Sequence, residues 1–238
     1  MAAREFIARY GHVVQGGPFA GRRYLSATRD PILRKLVGSY EGETHPWIRA
    51  AIEKRSRTVI DVGCAEGYFS VGMALALPGA KVYGFDTEFD QQSACRRVAE
   101  INGVEDQVII QGEFSVNDFS LIEPATTLVI MDCEGSEFEF LDLAAAPALA
   151  KCDVLVEIHP FVGTPARDLL DRFASSHTIA TVKRQRRHAN EWPSIQFLSP
   201  LKRYAALLEF RWDPDLCWSF LSGKRRAEGT GIPEAGSV

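Results

Sequence analysis

No run of apolar residues in the chain approaches the ~20 that a membrane-spanning helix needs. The opening residues, MAAREFIARY, hold no apolar stretch of the kind found in secretory leaders. Neither a membrane span nor a signal peptide is expected. The 5 cysteines are scattered and odd in number, with no C-x-x-C pair. That argues against a disulfide framework or a zinc site and reads as reduced thiols of a cytoplasmic protein. Positive charge is also short, with 27 Lys and Arg against 31 Asp and Glu, a net of −4. Nucleic acid held by bulk charge is not expected as a partner. Internal repeats are missing.

What is present is a rhythm. From Thr58 onward, short β-branched runs alternate with amphipathic stretches, the pattern of a parallel sheet with crossover helices. Strands are expected at Thr58–Asp61, Lys81–Asp86, Gln107–Gln111, Thr127–Met131, Asp153–Ile158, 178–183 and 216–221. Their near-continuous apolar character suits strands buried on both faces. Helices are expected at about 67–77, 88–102, 136–146, 165–174 and 200–210, with weaker patterns at 29–38 and 46–55. Asn102-Gly103 is a C-terminal stop for the second, and Ser136-x-x-Glu139 a capping box for the third. The predicted architecture is α/β, a doubly wound and mostly parallel seven-stranded sheet over residues 51–221. It carries an N-terminal helical cap over 1–50 and a disordered tail over 222–238.

In such a sheet, ligands bind outside the carboxyl ends of the strands. Those ends hold Asp61-Val62-Gly63-Cys64-Ala65-Glu66-Gly67, Asp86, Gly112-Glu113-Phe114, Asp132-Cys133-Glu134-Gly135 and Glu157-Ile158-His159. Acids recur there without Lys or Arg. A pyrophosphate-bearing dinucleotide is a poor match for that rim, whereas the sulfonium and ammonium of S-adenosylmethionine (AdoMet) suit it. The glycine pattern agrees, because Ala65 and Tyr68 stand where a dinucleotide fingerprint needs glycines. Gly63 would let the backbone approach the ligand, and Gly67 would open a helix whose N-terminus receives a carboxylate. Asp86, about 20 residues on, would accept the ribose hydroxyls. Glu113 would take the adenine amine, with Phe114 against the ring. Glu66 is expected to be exposed, and Glu137, in a first helical turn, to be structural.

Val59-Ile60-Asp61-Val62-Gly63-Cys64-Ala65-Glu66-Gly67-Tyr68-Phe69-Ser70 resembles motif I of class I AdoMet-dependent methyltransferases. Together with Met131-Asp132-Cys133-Glu134-Gly135-Ser136-Glu137 and Val156-Glu157-Ile158-His159, it is similar to the FkbM-type family over about residues 38–160. The chain departs from that pattern at Cys64-Ala65-Glu66 and at Met131, where Lys is common. The resemblance implies a Rossmann-like transferase moving a methyl group from AdoMet to oxygen, often on a sugar or small molecule. The implied cofactor shell is Asp61, Gly63, Cys64, Gly67, Tyr68, Phe69, Asp86, Thr87, Glu113, Phe114 and Asp132.

A hydroxyl acceptor needs a group to take its proton. His159 suits that role, since imidazole titrates near neutrality. A structural histidine before Pro160 is the alternative. Asp132 and Glu134 would orient the acceptor, or join Glu157 and His159 around Mg²⁺ or Mn²⁺. Tyr40, Glu41, His45 and Trp47 either line an acceptor pocket or pack on the sheet. Lys183-Arg184-Gln185-Arg186-Arg187-His188 is either a solvated loop or a recognition element for phosphate, carboxylate or RNA. The partner expected is a small-molecule acceptor. RNA methylation, a non-catalytic AdoMet-binding module and an NAD-dependent oxidoreductase are the competing readings.

Overall fold

A computed structural model describes residues 2–26, 32–160, 164–208 and 215–224. Seven strands are present: β1 Thr58–Val62, β2 Lys81–Phe85, β3 Val108–Gln111, β4 Thr127–Met131, β5 Asp153–Ile158, β6 His177–Lys183 and β7 Cys217–Gly223. They form one sheet in the order β3-β2-β1-β4-β5-β7-β6. β1 pairs in parallel with both β2 and β4, while β7 runs antiparallel between β5 and β6. The expected doubly wound, mostly parallel sheet is therefore what forms. The reversal of strand order at β1 and β4 opens the crevice where ligands of such sheets lie.

Both faces of the sheet are covered, which is why the strands read as unbroken apolar runs. Alternate residues enter alternate cores. Val59, Leu128, Ile130 and Leu155 face one core, and Ile60, Val129, Met131 and Val156 the other. Helices α1 Ala2–Tyr10, α2 Ile32–Val37, α3 His45–Glu53, α4 Tyr68–Ala76, α5 Phe89–Asn102 and α8 Pro200–Leu207 contribute to the first core. The four-residue α6 Glu137–Phe140 and α7 Ala166–Leu170 lie with the second.

Several expectations need correction. The N-terminal stretch is woven into the main core rather than set over it. Phe6, Val14, Phe19 and Tyr24 are buried in the same cluster as the strands, tied by α1 and a bridge between Val13 and Arg23. α1 was not foreseen, because its apolar face is narrow. The third crossover helix is only Glu137–Phe140, and Ser136 makes no side-chain cap. The Glu137 carboxylate instead turns back to accept the backbone N–H groups of Cys133 and Gly135, both at 3.2 Å. β7 continues through residues 222 and 223, so the predicted tail begins too early, and residues 225–238 lie outside the described residues. So do 29–31 and 209–210 of two expected helices. Among the described residues no helix is long and apolar enough to cross a membrane.

Trp47 shows how a pocket candidate became core. It is fully buried on α3 and stacked on Phe220 of β7, with ring centroids 6.0 Å apart and planes 18° from parallel. Truncation there leaves a cavity under the sheet. Trp47→Ala is expected to lower unfolding free energy by about 3–5 kcal/mol, read by urea denaturation.

Candidate cofactor and active-site cleft

The tips of β1 and β4 touch. Gly63 has φ of 80°, and a Cβ added to it would sit 1.7 Å from the Asp132 carbonyl oxygen. No other residue fits, so the glycine answers first to a neighbouring strand and only then to any ligand. Gly67, with φ of 81°, caps α4. Its added Cβ would meet Cys95 Sγ at 2.5 Å, so it too is held by helix packing.

Around this junction lies a cleft of about 470 Å³. Gly63 lines it with Asp86, Thr87, Glu113, Phe114, Asp132 and Glu134. The other expected shell residues are elsewhere. Asp61 is buried and accepts a hydrogen bond from Ser70 Oγ. Burial raises its pKa to about 7. Cys64 is buried beside Cys95, and Tyr68 and Phe69 pack edge-on against Phe19 in the N-terminal segment. Gly67 does not line the cleft.

Asp86 is held for work. One carboxylate oxygen accepts the Ala65 N–H at 2.8 Å and the other the Glu88 N–H at 2.9 Å. A carboxylate offers roughly four acceptor positions, so capacity remains for a diol. Phe114 is buried at the centre of an aromatic group, with Phe85, Phe119 and Phe140 all edge-on at 4.9–5.1 Å. Glu113 beside it is exposed.

Two residues depart from the linear reading. Glu66, expected to be exposed, is 1% exposed. It accepts hydrogen bonds from Tyr24 and Ser26, both at 2.7 Å, and lies 3.5 Å from Lys35 Nζ. Lys35 comes from α2 and brings a cation to a rim that looked wholly acidic. Its Nζ stands 5.0 Å from the Tyr40 ring centroid, within cation–π range. Tyr40 lines the cleft as well. Glu41 accepts from the Trp218 indole at 2.7 Å. His45 is buried against the Tyr40 carbonyl, and burial lowers its pKa to about 4. No local pattern around Lys35 announces its place.

Behind Asp132 and Glu134, and not itself among the cleft lining, stands a histidine with an orienting acid. His159 Nδ1 lies 2.9 Å from Glu137 Oε1, and Glu137 is fully buried. With Nδ1–H donated there, Nε2 is left facing Asp132 Oδ1 at 3.8 Å and Glu134 Oε2 at 3.5 Å. Burial pulls the imidazole pKa down, but the Glu137 bond and the three surrounding carboxylates outweigh it, and the net direction is upward. Burial opposes ionisation of Glu137 as well, yet His159 holds it below the usual carboxylate range. Asp132 moves to about 6, chiefly by burial. It is also hydrogen-bonded to Glu157. Glu137 was read as a helix-terminus acid, and its pairing with a histidine 22 positions on is a tertiary fact. One ligand atom each from Asp132, Glu134 and His159 lie within 4.8 Å of one another, a spacing that would suit a divalent cation.

The raised imidazole pKa favours the folded state below pH ~6.5, and that contribution is lost as pH rises through the folded value. The depressed Glu137 contributes above its unfolded pKa and loses that as pH falls. In a proton NMR titration His159 should have a midpoint above 6.5. Glu137→Gln should move that midpoint downward, and an unmoved midpoint would show that the pair is not coupled.

Comparison with known proteins agrees with this layout. A family model described as a methyltransferase domain matches residues 53–153. Ribosomal protein L11 methyltransferase of Shewanella piezotolerans is 38% identical over 73 residues, 28% of this chain and 25% of that one. The chain thus spans about a quarter of the length of that curated relative. A protein of Klebsiella pneumoniae assigned as an O-methyltransferase superposes with a TM-score of 0.50 at 11% identity, over 94% of this chain and 90% of its own. The O-methyltransferase TomG of Streptomyces achromogenes, solved with S-adenosylmethionine, gives 0.49 at 16% identity, over 78% and 80%. Residues 53–153 thus match a methyltransferase domain, and they lie on a sheet whose strand order opens a cleft beside them.

Proposed function

We propose that the chain transfers a methyl group from AdoMet to a hydroxyl oxygen of a small molecule or sugar, in the manner of the FkbM-type enzymes it resembles. The observation that carries this reading is the His159–Glu137 pair, whose imidazole faces Asp132 and Glu134 of the acidic cleft lining. The cleft fits AdoMet on its own chemistry. Asp86 keeps acceptor capacity for the ribose, Phe114 offers a face for the base, and Glu113 an acceptor for its amine. Lys35 suits the carboxylate, and Asp132 and Glu134 suit the cationic groups.

When bound, AdoMet supplies a methyl group already activated by its positive sulfur. The protein's part is to place the hydroxyl in line behind that carbon and to take its proton. Glu137 fixes the imidazole with Nε2 free, and Nε2 receives the proton as the oxygen–carbon bond forms and the carbon–sulfur bond breaks. The imidazolium so produced is stabilised by Glu137, the division of labour of an oriented base.

A second reading is metal assistance, favoured by the spacing of Asp132, Glu134 and His159. A divalent cation would be held by Asp132, Glu134 and His159 and would leave the imidazole unable to act as a base. The two readings part on chelation, because a base-driven transfer survives EDTA and a metal-driven one does not.

His159→Ala is expected to cut turnover by roughly 10²–10⁴-fold, measured as S-adenosylhomocysteine release, with AdoMet affinity by calorimetry nearly unchanged. Asp86→Asn should do the reverse and weaken AdoMet binding. The ascending limb of the rate against pH should follow His159 and lie above pH ~6.5, moving to lower pH in Glu137→Gln. No heat with AdoMet or S-adenosylhomocysteine would end the reading.

A further inference from the structure

The larger cavity is not the acidic cleft. A hollow of about 700 Å³ lies between the loop after β6 and one face of α8. Arg184, Arg186, Arg187 and His188 form one wall. Pro200, Arg203, Tyr204, Leu207 and Leu208 form the other, at the i, i+3, i+4, i+7, i+8 spacing of a single helical face. Four arginines and a histidine line it with no acid among the described lining residues, in a chain whose net charge is −4.

Its place follows from strand register. Ile158 of β5, Cys217 of β7 and Lys183 of β6 lie side by side, because β7 is antiparallel to both neighbours. The carboxyl end of β6 is therefore on the same edge as His159, two strands away. At strand spacing that is about 10 Å. Hollow and cleft are also connected through the segment before α3. Arg187 Nη2 is 2.7 Å from Glu43 Oε2, and Tyr40, three residues earlier, lines the cleft. Three peptide steps span at most about 11 Å.

The cations are arranged rather than scattered. Glu43 holds Arg187 in the wall. Arg203 is half-buried and donates to the carbonyls of Leu198 and Gln196, which fixes its guanidinium. Arg184 and Arg186 are exposed, and among the described residues neither has an acidic partner. Like charges gathered in one hollow repel, and a bound anion reverses the sign of that energy. Guanidinium groups suit a phosphate in particular, since they donate two hydrogen bonds to it at once. Tyr204 and Leu207 give the body carrying the phosphate an apolar surface. A long polyanion is disfavoured, because the acidic cleft next door repels it.

We propose that this hollow binds a phosphate group of a small molecule, and that the molecule is the methyl acceptor, its hydroxyl reaching His159 while its phosphate stays on Arg184, Arg186 and Arg203. The binding half stands alone; the acceptor half rests on the methyltransferase reading above.

The test uses the full chain with pyrophosphate and a short single-stranded RNA as probes, by calorimetry at physiological salt. Arg184→Ser/Arg186→Ser is compared with Arg167→Ser, a control at an exposed arginine outside the hollow. Pyrophosphate should bind the wild type and the control alike, and the double variant roughly tenfold or more weakly. AdoMet affinity should be equal in all three. The conservative pair Arg184→Lys/Arg186→Lys should recover part of the affinity, separating charge loss from a collapsed loop. Equal pyrophosphate binding in the double variant and the control overturns the site. RNA binding that exceeds pyrophosphate binding and falls steeply with salt overturns the small-molecule assignment. In a panel of sugars and nucleosides with and without a phosphate, S-adenosylhomocysteine release should be confined to the phosphorylated members. Release from the unphosphorylated members alone overturns the acceptor half. Absent AdoMet binding with intact pyrophosphate binding would instead sink the methyltransferase reading and leave the phosphate site standing.

Discussion

Everything in the cleft depends on how closely β1 and β4 are joined. Their registered pairing brings Val62 beside Met131, and the next residues, Gly63 and Asp132, meet backbone to backbone. That approach needs a residue without a side chain at position 63. It places the groups suited to a nucleoside, Asp86 and Phe114, on one side of a seam. On the other side are Asp132, Glu134 and His159. A sheet with any other order would scatter them.

The seam also concentrates charge. Burial raises Asp61 and Asp132, and repulsion adds to it, from Asp132 and Asp86 at Asp61 and from Glu134 and Glu137 at Asp132. Such a rim is stable when protonated or when a cation is near. The protein supplies partial answers of its own. Lys35 stands against Glu66, and His159 against three carboxylates. A positively charged ligand would complete the balance, which is how the electrostatics of the cleft support the AdoMet proposal.

Much of this was legible in the sequence because it rests on periodicity and on strand ends. The boundaries of β4 and β5 were read to the residue, since both are apolar runs stopped by polar tips. The cleft residues Gly63, Asp86, Thr87, Glu113, Phe114, Asp132 and Glu134 were named because the strand-end rule needs only local pattern. Tyr68 and Phe69 were placed with the cofactor because they follow the glycine loop. In the fold they turn away, since an N-terminal segment covers them. Ser136-x-x-Glu139 has the letters of a cap but not its geometry, because the backbone N–H groups of the turn before the helix donate to Glu137 instead.

The sequence alone determined the alternation of strands and helices, the acidic tips and the glycines between them. Each of these is set within a few residues by side-chain shape and backbone freedom. Tertiary structure decided what those tips face. It brought Lys35 from the N-terminal segment, paired Glu137 with His159, and set a basic hollow on the sheet edge that carries the acidic cleft. Those outcomes depend on which strands become neighbours, and the burial of two opposite sheet faces selects that order over the whole chain.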